Sequence, residues 1–209
     1  MPGESGLAEF RLPRGRHGLA PELVAENQRW RLIGASSEVL ATSGLESVTS
    51  SAVVAWAGVS KGTFYEHFEN VEQCLLTAHE MAADCVLELA TDSCEAEGRG
   101  RLDATLRAIL GFLAAEPSLA HLLGASPAAA DPAIAASRER LVLRLAELLR
   151  GQPGAPAHVL PPVAECHVVG GSLAFLSDQL AQRGARRLPE LAPELAEFLS
   201  VPCPRASPT

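Results

Sequence analysis

The stretch "AGVSKGTFYEHF", Ala57–Phe68, decides how this chain folds. Gly58 is placed to end one short helix, and Ser60 is a suitable N-cap for another. Thr49 can cap the first of the two helices, so the pattern predicts helices at Ser50–Ala57 and at Lys61 to about Phe68. Two short helices joined by a tight turn are typical of a helix-turn-helix, whose second helix lies in the major groove of DNA.

The second of these helices has two different faces. On a helix that begins at Lys61, Lys61 and Tyr65 share the outer face, while Phe64 and Phe68 turn inward as core anchors. Short capped helices with two phenylalanines are also common packing elements in proteins that never bind DNA. The helix pair alone therefore leaves DNA binding open.

The remaining side chains of this segment suit contact with a duplex. Gly62 removes a side chain where a helix must approach the DNA backbone, and Thr63 offers a hydroxyl or methyl group to a base edge. Tyr65 and His67 can donate to phosphates. Thr49 and the first amides of its helix form a further anion site through the helix dipole.

Positive charge is concentrated before this segment, although the whole chain has a net charge of −8. Between Arg11 and Arg31 five arginines face only Glu22 and Glu26, which leaves a local excess of three positive charges. Arg14 and Arg16 lie on a glycine-containing arm of the kind that reaches into a minor groove. A solvated tail is the alternative interpretation of this arm.

The bulk composition favours a folded protein outside a membrane or secretory pathway. The chain has 209 residues, 47% of them hydrophobic, and its first residues lack the apolar core of a secretory signal. Five cysteines without a C-x-x-C pair argue against a disulfide framework and a zinc ribbon. We therefore expect a cytoplasmic protein. We expect it to bind neither a metal nor a cofactor.

Apolar residues recur at helical spacing along almost the whole chain, which predicts an all-α protein. The spacing and the caps predict further helices before and after the pair, at about 21–42, from the "NVEQ" capping box at 70–73 to about 91, from about 102 to before Pro117, at 132–150 with Asp131 as cap, at about 163–182, and in "PELAPELAEFLS" at 189–200. A short helix is also expected after Pro117.

From Arg31 to Leu76 the sequence resembles the DNA-binding domain of the TetR (tetracycline-repressor-like) family of bacterial regulators. The resemblance is carried by Gly44, Thr49, "AGVS" and "T-F-Y-x-H-F". It implies three DNA-binding helices followed by about six that bind an effector and dimerise. It also implies that Thr49 contacts a phosphate and that the recognition helix faces DNA with Ser60, Lys61, Gly62, Thr63, Tyr65 and His67.

The chain departs from the pattern of the family at several positions. Many members carry lysines after the last Phe of the motif, where this chain has Glu69, Asn70 and Val71. Ser50 and Ser51, and also Val54 and Trp56, replace residue types that are frequent in the family. These departures concern the specificity of the operator.

The expected organisation has four parts: a flexible basic arm at 1–19, a helix-turn-helix domain at 20–72, an effector-binding and dimerisation domain at 73–201, and a mobile tail at 202–209. A short recognition helix buries too little surface alone, so a homodimer on a palindromic operator is expected. The expected interface residues lie on the last two long helices: Gly170, Leu173, Leu176, Leu180, Leu195 and Phe198. The alternative is that Gly170 and Gly171 only kink a core helix.

A small-molecule effector would change the affinity for DNA by preferring one arrangement of the dimer. Polar and aromatic residues on otherwise apolar helices are the candidates for its site: His79, Phe112, His121, His167, Phe175 and Asp178. A hydrophobic or amphipathic effector is expected because the surrounding helices are rich in Ala and Leu.

Two other classes of protein were weighed. The triplet "ECH" at 165–167 brings together acid, thiol and imidazole, but neighbours on a helix diverge and cannot form a catalytic triad among themselves. The sequence has no P-loop and no dinucleotide-binding glycine run. An enzyme is therefore not expected, and an all-helical protein-interaction scaffold without DNA binding is the alternative.

Overall fold

The computed structural model describes residues 20–92, 100–124, 131–150 and 162–200 of the chain. These residues form nine α-helices and contain no strand, which confirms the predicted all-α class. The helices are α1 Pro21–Ser43, α2 Ser50–Ala57, α3 Lys61–His67, α4 Val71–Asp92, α5 Gly100–Ala115, α6 Pro117–Gly124, α7 Pro132–Arg150, α8 Pro162–Arg183 and α9 Ala192–Ser200.

The chain divides into two compact units, and the division falls inside α4 and α7. The first unit is Met1–Met81 with Glu116–Ala135, and the second is Ala82–Ala115 with Ala136–Thr209. The first unit therefore includes α6 and the beginning of α7, in addition to the helix-turn-helix. The predicted boundary at residue 72 separates DNA binding from effector binding and dimerisation, and it stays a prediction.

The first unit is built around α1, which packs against α2, α3 and α6. Its core is a continuous apolar cluster in which Leu32, Val53, Phe64 and Leu122 are fully buried. Burial of a side chain of this size contributes about 2 kcal/mol of stability, so these contacts fix the positions of α2 and α3 on α1. In the second unit, α5 packs against α9 and against a 3-10 segment, Ala185–Leu191, which also contacts α8.

Caps at the helix ends agree with the sequence patterns. The N–H groups of Ala133 and Ile134 donate to a carboxylate oxygen of Asp131, at 2.6 and 3.3 Å. One half of the predicted capping box before α4 is present, because Gln73 N–H donates to Asn70 Oδ1 at 2.8 Å. The side chain of Gln73 accepts from Glu69 N–H at 2.7 Å, one residue before the N-cap.

The prediction of one amphipathic helix over 189–200 is wrong in its first part. Residues Ala185–Leu191 form a 3-10 segment, and α9 begins only at Ala192. The physical reason is the pair of prolines. Pro193 has no N–H to donate to the carbonyl of Pro189, so a continuous α-helical ladder cannot pass through this point, and Ala192 N–H donates to Pro189 instead.

Candidate DNA-binding surface

The turn between α2 and α3 has the geometry of a capped helix-turn-helix. Ala52 N–H donates to Thr49 Oγ1 at 3.2 Å, and Thr63 N–H donates to Ser60 Oγ at 3.0 Å, so both predicted caps are in place. Gly58 ends α2 in the left-handed conformation, with φ of 66° and ψ of 38°. Only three residues, Gly58 to Ser60, separate α2 from α3.

The inner face of α3 is anchored by two aromatic rings. Phe64 has no exposed surface and Phe68 is 3% exposed, as the sequence predicts. Their ring centroids lie 5.9 Å apart. Phe64 also packs edge-on against Tyr65, at 5.3 Å between centroids, so the buried anchor orients the ring on the outer face.

The outer face of α3 is exposed and carries the polar groups expected to meet a duplex. Lys61 and Gly62 are exposed, and the side chain of Tyr65 is 53% exposed. Among the described residues no carboxylate forms an ion pair with Lys61, so its charge remains available. Thr63 is half-buried, and its hydroxyl lies 2.9 Å from that of Ser60.

Ser50, the first residue of α2, is an additional member of this surface that sequence reasoning missed as a contact. Its hydroxyl lies 3.4 Å from the hydroxyl of Tyr65. The N-terminus of α2 and the outer face of α3 therefore meet in one surface, beside the N-cap Thr49. The available signal was the position of Ser50 directly after the cap, where a side chain lies next to the free N–H groups of the helix.

The imidazole of His67 is in a different position from the one expected. His67 is half-buried, and its Nε2 atom is shielded from solvent without a hydrogen-bond partner in the described residues. A phosphate contact through Nε2 therefore requires the ring to rotate. The predicted role of His67 as a donor to phosphate stays a prediction.

Arg29 and Arg31 are the two arginines of the basic stretch between Arg11 and Arg31 that the structure describes. The guanidinium of Arg31 donates to the carbonyl oxygens of Ala57 and Gly58, the second at 3.2 Å. The Cζ atom of Arg29 lies 5.6 Å from the centroid of the Phe68 ring. Both side chains thus contact the helix-turn-helix itself. Arg14 and Arg16, the other predicted contacts, lie outside the described residues.

The six effector candidates divide between the two units. His79 and His121 belong to the first unit, where His79 is 1% exposed and burial lowers the pKa of His121. Phe112, His167, Phe175 and Asp178 belong to the second. There Phe175 is 41% exposed, and the carboxylate of Asp178 accepts a hydrogen bond from Gln182 at 2.9 Å. The effector site stays a prediction.

The six residues expected at a dimer interface also differ in exposure. Leu180 and Leu195 are each 5% exposed within their own unit, so they offer little area to a partner copy. Gly170, Leu173 and Leu176 are half-buried, and Phe198 is 56% exposed. The apolar surface that remains available on α8 and α9 is centred on Phe175 and Phe198.

Two further chemistries were checked in the part of the chain that the structure describes. It contains no cluster of three or more His, Cys, Asp or Glu side chains arranged to hold a metal ion. None of the described helices has by itself the length and apolar composition to cross a bilayer, although the pair Leu102–Ala115 and Pro117–Gly124 meets both criteria together.

Residues 32–78 match the family model of bacterial regulatory proteins, tetR family. A comparison with curated protein sequences gives no match. The matched segment contains the caps, the left-handed glycine and the outer face of α3 described above. The fold and this surface define a helix-turn-helix DNA-binding protein.

Solved structures share the fold over most of the chain. The fatty acid degradation regulator FadR from Bacillus halodurans is 19% identical, with a TM-score of 0.71, over 88% of this chain and 97% of its own. FadR from Bacillus subtilis, in complex with stearoyl-CoA, is 18% identical, with a TM-score of 0.70, over 82% and 97%. A TetR family transcription regulator from Marinobacter aquaeolei VT8 is 21% identical, with a TM-score of 0.62, over 83% and 97%.

The helix-turn-helix segment thus matches the tetR family of bacterial regulatory proteins, as the resemblance of Arg31–Leu76 implied. The matched family consists of regulatory proteins and not of enzymes, in agreement with the expectation that "ECH" at 165–167 is no catalytic triad. The interaction scaffold without DNA binding is set aside on the same evidence.

Proposed function

We propose that this regulator binds a palindromic operator as a homodimer, acts as a repressor, and is modulated by a small-molecule effector. The observation that carries the DNA contact is the outer face of α3, where exposed Lys61 and Tyr65 stand opposite the buried Phe64 and Phe68. A helix with this division can enter a major groove without loss of its core contacts.

The homodimer is supported by the size of the recognition helix. Helix α3 has only 7 residues, and one such helix makes too few contacts for specific affinity. Two copies related by a two-fold axis double the contacts and read a palindrome. The exposed rings of Phe175 on α8 and Phe198 on α9 supply apolar area for the interface. Gly170 and Gly171, also on α8, are small enough to let a partner helix approach.

The dimer is tested with the full chain by sedimentation. Phe198→Glu places a charge in the proposed interface, and we expect it to shift the protein toward monomer without loss of helical circular dichroism. Leu143→Glu is a matched control, because Leu143 is another exposed apolar side chain, at 44%, on α7. Equal behaviour of wild type and Phe198→Glu would contradict this interface.

The effector is proposed to be amphipathic, with a long acyl chain. The second unit consists of helices rich in Ala and Leu, which suits an apolar ligand. The Bacillus subtilis FadR of the same fold was solved with stearoyl-CoA, which makes that compound the first probe. An effector acts by binding one state of the dimer more tightly than the other, so DNA affinity must change with its concentration.

The experiment starts from a pool of random duplexes, from which the wild-type protein selects its preferred sequence. A two-fold symmetric consensus is the expected result, and selection of no consensus would reject the operator proposal. Stearoyl-CoA is then titrated against the complex, with free coenzyme A as control. Transcription in vitro from a promoter that overlaps the selected sequence tests repression, and activation there would reject that role.

A further inference from the structure

Helix α1 contacts the residues on both sides of α3 through two arginines. Arg31 reaches the C-terminus of α2 and donates to the carbonyl oxygens of Ala57 and Gly58. Arg29 reaches Phe68, the residue that ends α3, with its Cζ atom 5.6 Å from the ring centroid. The two arginines are separated by one residue, Trp30, and their contacts lie on either side of α3, at the turn before it and at Phe68 after it.

The hydrogen bonds of Arg31 satisfy backbone carbonyl groups at the end of α2. The last carbonyl groups of a helix have no partner within the helix, and they carry the negative end of its dipole. A guanidinium at this point supplies both hydrogen-bond donors and positive charge. The contact therefore fixes the end of α2 on α1, at the glycine from which the turn begins.

The contact of Arg29 fixes the other end. Phe68 is 3% exposed and its N–H donates to Phe64 at 2.9 Å, so the ring and the last turn of α3 move together. A cation over this ring adds attraction to the apolar packing. The angle of α3 relative to α1 is thus held at its C-terminal end, while Arg31 holds the turn before its N-terminal end.

We infer that Arg29 and Arg31 are positioning residues, an arginine clamp through which α1 sets the orientation of the recognition helix. They belong to a stretch whose charge suggests direct contact with phosphates, and the clamp assigns them a different role. The inference rests on DNA binding by α3, but it does not depend on the palindrome, the repressor role or the effector.

The two roles predict different effects on DNA binding. A side chain that contacts a phosphate releases counterions, so its loss reduces the slope of log K against log salt by about 1 and weakens all sequences alike. A positioning residue leaves the slope unchanged. Its loss instead lowers the ratio of specific to non-specific affinity, because base contacts need the correct angle of the helix.

The variants are Arg29→Met and Arg31→Met, which keep much of the apolar length of the side chain and remove its charge. Arg186→Met is the matched control, since Arg186 is exposed in the second unit. Each is measured on the duplex selected by the wild type and on a scrambled duplex, over a range of salt concentrations. We expect each clamp variant to reduce the specificity ratio by at least about tenfold at an unchanged slope.

Arg31→Lys is the rescue variant, because an ammonium group retains donors and charge for the two carbonyl groups. We expect it to recover part of the specificity that Arg31→Met loses, and it carries the test if Arg31→Met loses its helical circular dichroism. A slope that falls by about 1 with the ratio retained would overturn the clamp, as would a specificity ratio equal to that of the Arg186→Met control.

The clamp also has a readout that needs no DNA. The two tryptophans of the chain are direct sequence neighbours of the contact, Trp30 before Arg31 and Trp56 before Ala57, and they are 38% and 50% exposed. Their emission and quenching by acrylamide should change in Arg31→Met, return toward wild type in Arg31→Lys and stay constant in Arg186→Met. Failure of the wild type to select any duplex would reject the operator proposal. Acrylamide quenching in Arg31→Met equal to that of the wild type would reject the clamp independently of DNA.

Discussion

The hydroxyl groups of Ser50 and Tyr65 lie 3.4 Å apart and join the start of α2 to the outer face of α3. Because both groups are at the surface, their contact contributes little to folding. We expect Tyr65→Phe to change the free energy of unfolding by less than about 0.5 kcal/mol and to weaken binding of the selected duplex about fivefold or more. Thr91→Val, an exposed hydroxyl on α4, is the control in the same binding assay. Unchanged affinity of Tyr65→Phe would remove Tyr65 from the interface.

Lys61 should contribute a direct electrostatic contact. Its ammonium group is exposed, and Lys61→Ala removes the one lysine or arginine of α3. We expect the slope of log K against log salt to become shallower by about 0.9, with no measurable change in stability. Lys61→Arg should keep the slope. An unchanged slope in Lys61→Ala would show that the charge of α3 does not meet a phosphate.

Gly58 should tolerate a side chain less well than its conformation alone predicts. A left-handed residue other than glycine costs about 1 kcal/mol. In addition, a Cβ at Gly58 would lie 3.1 Å from Nη2 of Arg31. We expect Gly58→Ala to lower the free energy of unfolding by more than this strain in the wild type, and by only about 1 kcal/mol in the Arg31→Met background. Urea unfolding of the wild type, the two single variants and the double variant measures these losses of stability. Equal losses in both backgrounds would exclude a clash between the Cβ at position 58 and Arg31.

Cys74 should make stability depend on pH in the alkaline range. Burial raises the pKa of this thiol to about 11 from the ordinary 9.0, because the interior disfavours the thiolate. The folded state then binds more protons than the unfolded state, so the contribution to stability is complete below pH 9 and is lost as the pH rises through about 11.

The measurement for Cys74 compares the pH-dependent change in the free energy of unfolding between two proteins. Urea unfolding at pH 8 and pH 10.5 is compared for the wild type and Cys74→Ala. We expect the wild type to lose on the order of 1 kcal/mol more than the variant between the two pH values. Parallel losses would mean that the thiol ionises without cost in the folded protein.

Thr105 should be replaceable by a residue of the same shape. Its side chain is 7% exposed, and its hydroxyl has no hydrogen-bond partner in the described residues. Thr105→Val exchanges the hydroxyl for a methyl group, and we expect the free energy of unfolding to rise by about 1 kcal/mol. The exposed Thr91→Val is again the control. A loss of stability would indicate that the hydroxyl of Thr105 has a bound partner in solution.

The sequence was sufficient to predict the elements whose signals are local. Thr49, Ser60 and Asp131 were predicted as caps from residue type and spacing, and Gly58 as a helix end, since these roles depend on neighbours three or four residues away. The division of α3 into an inner face with Phe64 and an outer face with Tyr65 followed from helical periodicity for the same reason.

Features that depend on distant residues were missed. The contact between Arg31 and Ala57 joins residues 26 positions apart, and charge alone cannot distinguish a guanidinium that caps a helix from one that awaits a phosphate. An amphipathic pattern shows that a face is buried but not what covers it, so the place of Leu195 in a dimer interface stays a prediction. The apolar spacing of residues 189–200 predicts one continuous helix, whereas the two prolines Pro189 and Pro193 interrupt it at Ala192.

The described part of the proposed interface, without the predicted contacts Arg14 and Arg16, contains many hydroxyl groups and little charge: Thr49, Ser50, Ser60, Thr63 and Tyr65 accompany the ammonium group of Lys61. A hydroxyl acts only at contact distance, whereas a cation attracts a polyanion over a Debye length of about 8 Å at physiological ionic strength. Recognition by this surface is therefore weighted toward close fit over long-range attraction. We therefore expect weak non-specific binding of this surface to chromosomal DNA. A larger share of the protein would stay free to bind the operator or an effector.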